Sequence, residues 1–439
     1  MSRKRPRLPG NPDLRRQTQV PCPPIEEIEQ QLYSLLSPQS FKPLRLAKGK
    51  DNKRWRERIL TLPVMMAVVL SLVYRRIPSL REVLRVLALE GLLWLEALPV
   101  SVQALSKRLR SLPTELFAQV FEQVIERIQA RKCVEIIPPM WQPVTASFTA
   151  LWIADGSTLE ELRKKLQALQ GEGTLLGGKM MMVVEAFTHR PVATWYTKQA
   201  TAHDLNFTQQ LLNKLPRGGL LIFDLGFFKF PWFDEFTENQ KFFVTRLREK
   251  TAYQLNLCLS SGTYYRDEII QMGQYRSNPC QHPVRLVSVL WGQTWYNYLT
   301  NVLDPSVLSA EQVCELYRRR WRIEDAFLLT KRLLGLAYLW VGDTNGVQIQ
   351  ILATWIFYAV LNDLCTTVAI TLQQPIERIS VEMVFRGLYH FSRALLRGEN
   401  SDVVTYLATH HKLLGLVKAV RPRHREIDAL TGVIWASAP

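Results

Sequence analysis

No C-x-x-C pair occurs in the 439 residues, and the six cysteines stand apart at positions 22, 133, 258, 280, 314 and 365. That scatter argues against a disulfide framework and fits the reduced thiols of a cytosolic protein. The seven histidines offer no zinc spacing. Only His410 and His411 are close, and adjacent side chains point apart on a helix or a strand. Long hydrophobic runs are also missing. The longest, Ile59 to Tyr74, has 16 residues and contains Thr61, Pro63 and Ser71. It falls short of the roughly 20 needed to span a bilayer and reads as a buried helix. A second run, Ile349 to Leu372, is interrupted by Asn362-Asp363 and also reads as core. No membrane segment is therefore expected. The opening Met1-Ser-Arg-Lys-Arg-Pro-Arg is not followed by the apolar stretch of a signal peptide.

Acidic residues are scarce: 39 Asp and Glu stand against 55 Lys and Arg, a net charge of +16. Such a surplus favours a polyanionic partner, of which nucleic acid is the commonest, with an anionic membrane or an acidic protein as alternatives. Residues 1–60 hold 14 of the cations and 6 of the acids, half the net charge. This stretch reads either as a solvated arm that touches phosphate or as a tail without a role.

Residues 25–131 read as helical. Leu80–Leu89 has helical spacing, and so do Phe117, Val120, Phe121, Val124, Ile125 and Ile128 in a helix opened by Pro113. Ser101 is placed to cap a short helix bearing Lys107, Arg108 and Arg110, either in a helix-turn-helix-like reader of DNA or in an ordinary bundle. The pattern changes near Pro138. Strand-like runs follow at 148–154, 179–187, 191–197, 219–223 and 242–245, with a helix over 203–214. Between 252 and 303 the chain is again strand-like, with Val284–Trp291 and Trp295–Val302 flanking a Gly-Gln turn, and helix returns at Ser309.

One apparent motif is discarded. Gly173 to Lys179 spells most of a phosphate-binding loop, but Met180 stands where Ser or Thr would be needed, and a helix precedes it while a strand follows. The informative stretch is Tyr317 to Lys331. On a regular helix, Tyr317 and Lys331 lie within about 20° of Glu324, and Arg320 about 40° away. That face would carry a carboxylate flanked by cations and a phenol, the layout that holds a metal beside phosphate oxygens. A solvated face with an Arg320–Glu324 ion pair gives the same pattern. Asp155 and Asp224 each end an apolar run, where a buried carboxylate is costly without a metal or a partner. Each also suits a plain turn. Two strand-end aspartates and a helical glutamate can converge at one sheet edge, and three such acids repel unless divalent cations sit among them. Hard oxygen ligands select Mg²⁺ or Mn²⁺ over zinc.

Tyr317, Arg320, Glu324 and Lys331 have the spacing Y-x2-R-x3-E-x6-K. This resembles the signature helix of the insertion-sequence-four group of bacterial DDE transposases. Asp155 in Ile-Ala-Asp-Gly-Ser and Asp224 in Ile-Phe-Asp-Leu-Gly-Phe-Phe look like that group's two aspartates, and Thr201-Ala-His-Asp-Leu resembles the loop between them. The likeness covers about residues 145–365. It implies an α/β fold with a ribonuclease-H-like mixed sheet and a β-rich insertion, preceded by a helical N-terminal domain and followed by helices. It also implies catalysis of strand cleavage and transfer by Asp155, Asp224 and Glu324 with two Mg²⁺ or Mn²⁺ ions. Tyr317, Arg320, Lys331, Arg319 and Arg322 would bind DNA, and Trp291 and Trp295 are candidates for stacking a flipped base. The partners would be double-stranded DNA ends and target, with a homodimer on DNA, in a bacterial cytoplasm at the nucleoid. The expected organisation is a basic arm and helical end-binding domain at 1–140, a catalytic core split into 141–250 and 306–370 around an insertion at 251–305, and a helical region at 371–439. An inactive DNA-binding relic, or a nuclease that cuts without joining, would share these features.

Overall fold

The computed structural model of the protein describes residues 29, 31–36, 38, 59–77, 79–131, 136–159, 178–336, 339–399 and 401–419. Most of the basic stretch 1–60, most of the discarded Gly173–Lys179 loop and the end of the expected helical region, 420–439, lie outside the described residues.

Within residues 59–159 the described α-helices are α1 (Leu62–Tyr74), α2 (Leu80–Leu89), α3 (Val102–Ser111) and α4 (Thr114–Ala130), followed by the short α5 (Gln142–Ser147). Local chemistry starts them. Pro63 takes the first turn of α1, where its missing N–H costs nothing. Ser79 accepts from Glu82 N at 3.2 Å, and Ser101 from Ala104 N at 3.2 Å. All six apolar residues expected on one face of α4 are buried.

The strands are β1 (Leu151–Thr158), β2 (Lys179–Glu185), β3 (Pro191–Thr197), β4 (Leu220–Ile222), β5 (Phe242–Arg246), β6 (Tyr253–Ser261), β7 (Tyr265–Met272), β8 (Val284–Trp291) and β9 (Thr294–Thr300). Helices α6 (Thr208–Lys214) and α7 (Phe230–Glu238) stand between them. All nine strands form one sheet in the order β3-β2-β1-β4-β5-β9-β8-β7-β6. β1, β4 and β5 are parallel, whereas β2, β3 and the run β6–β9 pair antiparallel. The stretch expected as an insertion therefore prolongs the same sheet past β5.

Both faces of the parallel strands are covered, which is why they read as unbroken apolar runs. Ile153, Met180, Met182, Leu220, Ile222 and Val244 face one core, and Ala154, Met181, Val183, Leu221 and Phe243 face the other. The second core is filled by α6 and α7, with Phe223 and Phe227 against Trp232 at 4.7 and 5.6 Å between ring centres. The first core is filled by α1–α4 together with the C-terminal helices α8 (Ala310–Arg319), α9 (Arg322–Leu328), α10 (Thr344–Thr371), α11 (Val381–Leu396) and α12 (Val403–Thr409). The N-terminal helices thus share a core with the sheet and the C-terminal helices. Among the described helices, α10 alone is long and apolar enough to cross a membrane, and its most apolar stretch is 94 % buried inside the protein. The polar pair that interrupts its sequence is satisfied: Asn362 Nδ2 donates to Thr188 O at 3.0 Å, and Asp363 meets Arg131 at 2.7 Å.

Two sequence expectations are corrected. The first strand does not end at Asp155. It runs to Thr158, because β2 supplies a partner as far as Thr158↔Lys179. Residues 317–331 are not one regular helix either, as described next.

Candidate active site

Register builds the site. β1 pairs with β4 up to Ile153↔Ile222, and β4 with β5 up to Ile222↔Val244. Two residues beyond these positions stand Asp155, Asp224 and Arg246. Side chains alternate along a strand, so all three follow Ile153, Ile222 and Val244 onto the face that the C-terminal helices cover. Asp224 lies just past β4, where its Oδ1 accepts the N–H of Gly226 at 2.8 Å. Asp155 Oδ1 accepts from Gly156 N, also at 2.8 Å.

The second wall is the segment 310–333. Ser309 and Gln312 form a capping box that opens α8. The helix tightens at its end: Arg320 N donates to Tyr317 O, Ile323 N to Arg320 O and Glu324 N to Trp321 O, all three-residue steps. It then widens to a π turn over Leu329–Leu333. These two departures displace side chains from the common face that a regular helix would give, and the segment wraps β1 instead. Arg320 Nη1 donates to Asp155 Oδ2 at 2.5 Å. Lys331 Nζ donates to Ser157 Oγ at 2.6 Å and Thr158 O at 2.8 Å. Tyr317 is buried, its ring 5.4 Å from that of Tyr298 and under the guanidinium of Arg320 at 5.7 Å. No Arg320–Glu324 ion pair forms among the described residues, since Arg320 spends its charge on Asp155.

Burial raises the Asp155 carboxyl to about 7, in spite of Arg320, and the nearby charges of Asp224 and Glu324 push the same way. The charges of both other acids therefore reach Asp155. Among the described residues, however, no three acids are close enough to share one ion. Glu324 remains exposed, and the guanidinium of Arg320 holds the cation position against Asp155. Its Nε is buried without a hydrogen-bond partner. Hard carboxylate oxygens fit a divalent cation, which would stabilise the charged form of Asp155, whereas the under-bonded Arg320 fits an anion such as phosphate.

The other expected residues are more dispersed. Arg319 turns away from the acids, pairing with Glu377 and lying over Phe187 at 4.4 Å and Trp141 at 5.0 Å. Arg322 approaches Asp325 at 3.9 Å and Glu377 at 4.0 Å. Both border an open cavity of about 350 Å³ on the outer side of the segment, with the exposed Trp321. Trp291 and Trp295 flank the tip of the β8–β9 hairpin, and Arg266 lies over Trp295 at 5.1 Å. Because β9 runs antiparallel to β5, that tip extends past the carboxyl ends of β1, β4 and β5, the end that carries Asp155 and Asp224.

Sequence reasoning missed Arg246. Its guanidinium lies over Tyr296 at 5.6 Å, its buried Nε has no hydrogen-bond partner, and its charge is felt at Tyr317. The signal was present: Arg246 follows the run Phe242–Thr245 as Asp224 follows Gly219–Phe223.

Residues 153–359 match the family of transposase DDE domains. The matched segment is the one that carries Asp155, Asp224 and Glu324. Among curated proteins the chain is 23% identical over 263 residues to one from Geobacillus stearothermophilus named as the probable transposase of insertion sequence element IS5377, covering 58% of this chain and 65% of that one. It is 25% identical over 227 residues to transposase y4zB of Sinorhizobium fredii, covering 50% and 62%. The chain therefore spans somewhat under two thirds of the length of either relative. A superposition on the piggyBac transposase synaptic complex with hairpin DNA covers 91% of this chain and 83% of that one, at 12% identity and a TM-score of 0.38.

Proposed function

We propose that the chain is a DNA transposase of the insertion-sequence-four group, which cuts and rejoins strands at the ends of its element. The observation that carries this reading is the register row Asp155–Asp224–Arg246 lying under the Arg320–Lys331 wall. The match of the same segment to DDE domains and the transposase names of the two relatives support it. A strand order of β3-β2-β1-β4-β5, with only β1, β4 and β5 parallel, supports a ribonuclease-H-like core, with β6–β9 as the insertion.

Asp155, Asp224 and Glu324 would hold two Mg²⁺ or Mn²⁺ ions. When bound, such a pair supplies Lewis acidity at the attacking and leaving oxygens of an in-line phosphoryl displacement. The chain's own residues do the rest. Arg320 and Lys331 already lie along β1 and offer their donors to phosphate oxygens beside the scissile bond. With cations held by the acids, Arg320 would exchange Asp155 for a phosphate oxygen, one anion for another. Tyr317 and Arg246 back it from α8 and β5. The β8–β9 tip with Trp291 and Trp295 would reach along the DNA, stacking an unpaired base. The basic surplus would hold the duplex, and two paired ends would call for a dimer.

The test is a labelled duplex bearing the element's own end, incubated with Mg²⁺ or with EDTA and resolved on a denaturing gel. Metal-dependent nicking at the boundary followed by hairpin or joined products is expected. Nicking without joining would make it a nuclease. Binding without cleavage in both Mg²⁺ and Mn²⁺ would make it an inactive relic.

A further inference from the structure

The sheet carries a fourth acid that the proposed chemistry leaves unused. Asp204 opens a one-turn 3₁₀ helix, Asp204–Phe207, in the loop between β3 and α6. Its carboxylate fills the gap between the two glycines that follow the catalytic aspartates. A Cβ placed on Gly156 would stand 2.1 Å from Asp204 Oδ1, and one placed on Gly226 would stand 2.8 Å from Asp204 Oδ2. Neither glycine has positive φ, so backbone freedom does not account for them. What does is the acid, which occupies the volume any side chain would need. The Lys179 ammonium lies 2.8 Å from Asp204 Oδ1 and donates to Ala202 O at 3.0 Å, tying the start of β2 to the same loop.

The placement excludes a ligand role beside Asp155. Gly156 is one residue on from Asp155, so its missing side chain points to the opposite face of the sheet, where Lys179 also lies opposite Thr158. Asp204 braces the backbone from behind. On the Asp224 side the linkage is one step longer, because the N–H of Gly226, held against Asp204, is the donor to Asp224 Oδ1 at 2.8 Å. One carboxylate therefore fixes two backbones that each carry a metal-binding aspartate.

We infer that Asp204, clamped by Lys179, is a positioning residue that sets the separation and orientation of Asp155 and Asp224. This rests on the transposase reading. The mechanism is support of metal-holding side chains by groups that do not touch the metal, where loss of one partner typically costs 10–100-fold in metal affinity or activity. Ion-pair energy alone would be a weaker rationale, since both side chains remain partly exposed.

The test compares wild type with Asp204→Ala, Asp204→Asn, Lys179→Ala and Gly226→Ala. Mn²⁺ binding is read from the loss of the free-ion resonance, and end cleavage is split into kcat and KM across a Mg²⁺ titration. Asp204→Ala and Gly226→Ala are expected to weaken Mn²⁺ binding and lower kcat by about 10–100-fold. KM for the DNA end should stay unchanged, and Asp204→Asn, which keeps the volume, should recover part of both losses. Lys179→Ala should reproduce the Asp204→Asn defect without adding to it. Wild-type Mn²⁺ binding and kcat in folded Asp204→Ala and Gly226→Ala would overturn the inference. If Asp204→Ala does not fold, the Asn and Lys179 variants decide it by the same readings. A wild type that cuts no end in any metal would sink the transposase reading, and the Mn²⁺ comparison would still decide the role of Asp204.

Discussion

Two buried arginine–aspartate pairs sit in the same sheet and are built for opposite ends. Arg285 of β8 grips Asp267 of β7 with two parallel bonds of 2.6 Å and donates from its third nitrogen, Nη1, to Leu308 O at 2.6 Å. Every strong group in that pair is used. Arg320 touches Asp155 through a single nitrogen, leaves its buried Nε unbonded, and faces an acid raised to about 7 by burial and by two neighbouring carboxylates. The first pair is scaffold in the antiparallel half of the sheet. The second is an arrangement waiting for a better partner, at the carboxyl end of the parallel half. Satisfaction, rather than burial, separates structure from chemistry here.

The sharpest way to break this contrast is to remove the acids. Ala at Asp155, Asp224 or Glu324 is expected to drop end cleavage below detection on a denaturing gel, while mobility-shift binding persists. A folded Glu324→Ala protein that still cuts would end the assignment. Next in size is stability. Asp267→Ala strands a buried Arg285 and is expected to cost about 3–5 kcal/mol in urea unfolding. Asp155→Asn removes a carboxylate held at a disfavoured charge and should leave the urea midpoint unchanged or higher. Equal losses at both positions would erase the distinction drawn between the pairs.

Arg320→Ala should weaken end binding and reduce the slope of log affinity against log salt by about 1, as for one lost phosphate contact. An unchanged slope would assign Arg320 to Asp155 alone. The smallest effect concerns pH. The Asp155 carboxyl is raised when folded, so its charged form costs stability that grows as pH climbs from about 4 to about 7. A divalent cation needs that charged form. Mn²⁺ affinity, followed by titration calorimetry, should therefore rise up to about tenfold per pH unit below 7 and level off above it. A flat profile from pH 5.5 to 7 would contradict the raised carboxyl.

How much of this could be read from the chain depends on the distance over which each feature is encoded. Asp155 and Asp224 were legible because a charged group directly after an apolar run is a local anomaly. Tyr317, Arg320, Glu324 and Lys331 were legible as a spacing. The bend between Arg320 and Glu324 was not, because it is a change from four-residue to three-residue hydrogen bonds that side-chain pattern does not record. Arg319 shares its neighbour's chemistry, yet faces Glu377 and Phe187, partners fixed only by tertiary packing. Arg246 and Asp204 needed the register of the sheet before either could be placed beside the aspartates. Strand β6, exposed along nearly its whole length, lacks the apolar signal that marked β1 and β4.

The long helix α10 sets an order of events for the growing chain. Residues 62–130 emerge from the ribosome early, but their apolar faces close on a helix that begins at Thr344. Until synthesis has passed Thr371, α1, α3 and α4 lack the helix they pack against most, and contacts so far apart in sequence are slow to form. A chain cut short by a frameshift anywhere before that point would leave the first helices with their oily sides bare. It would be a target for proteases rather than a small DNA-binding fragment. Completion of the chain thus becomes a condition for any of its parts to persist.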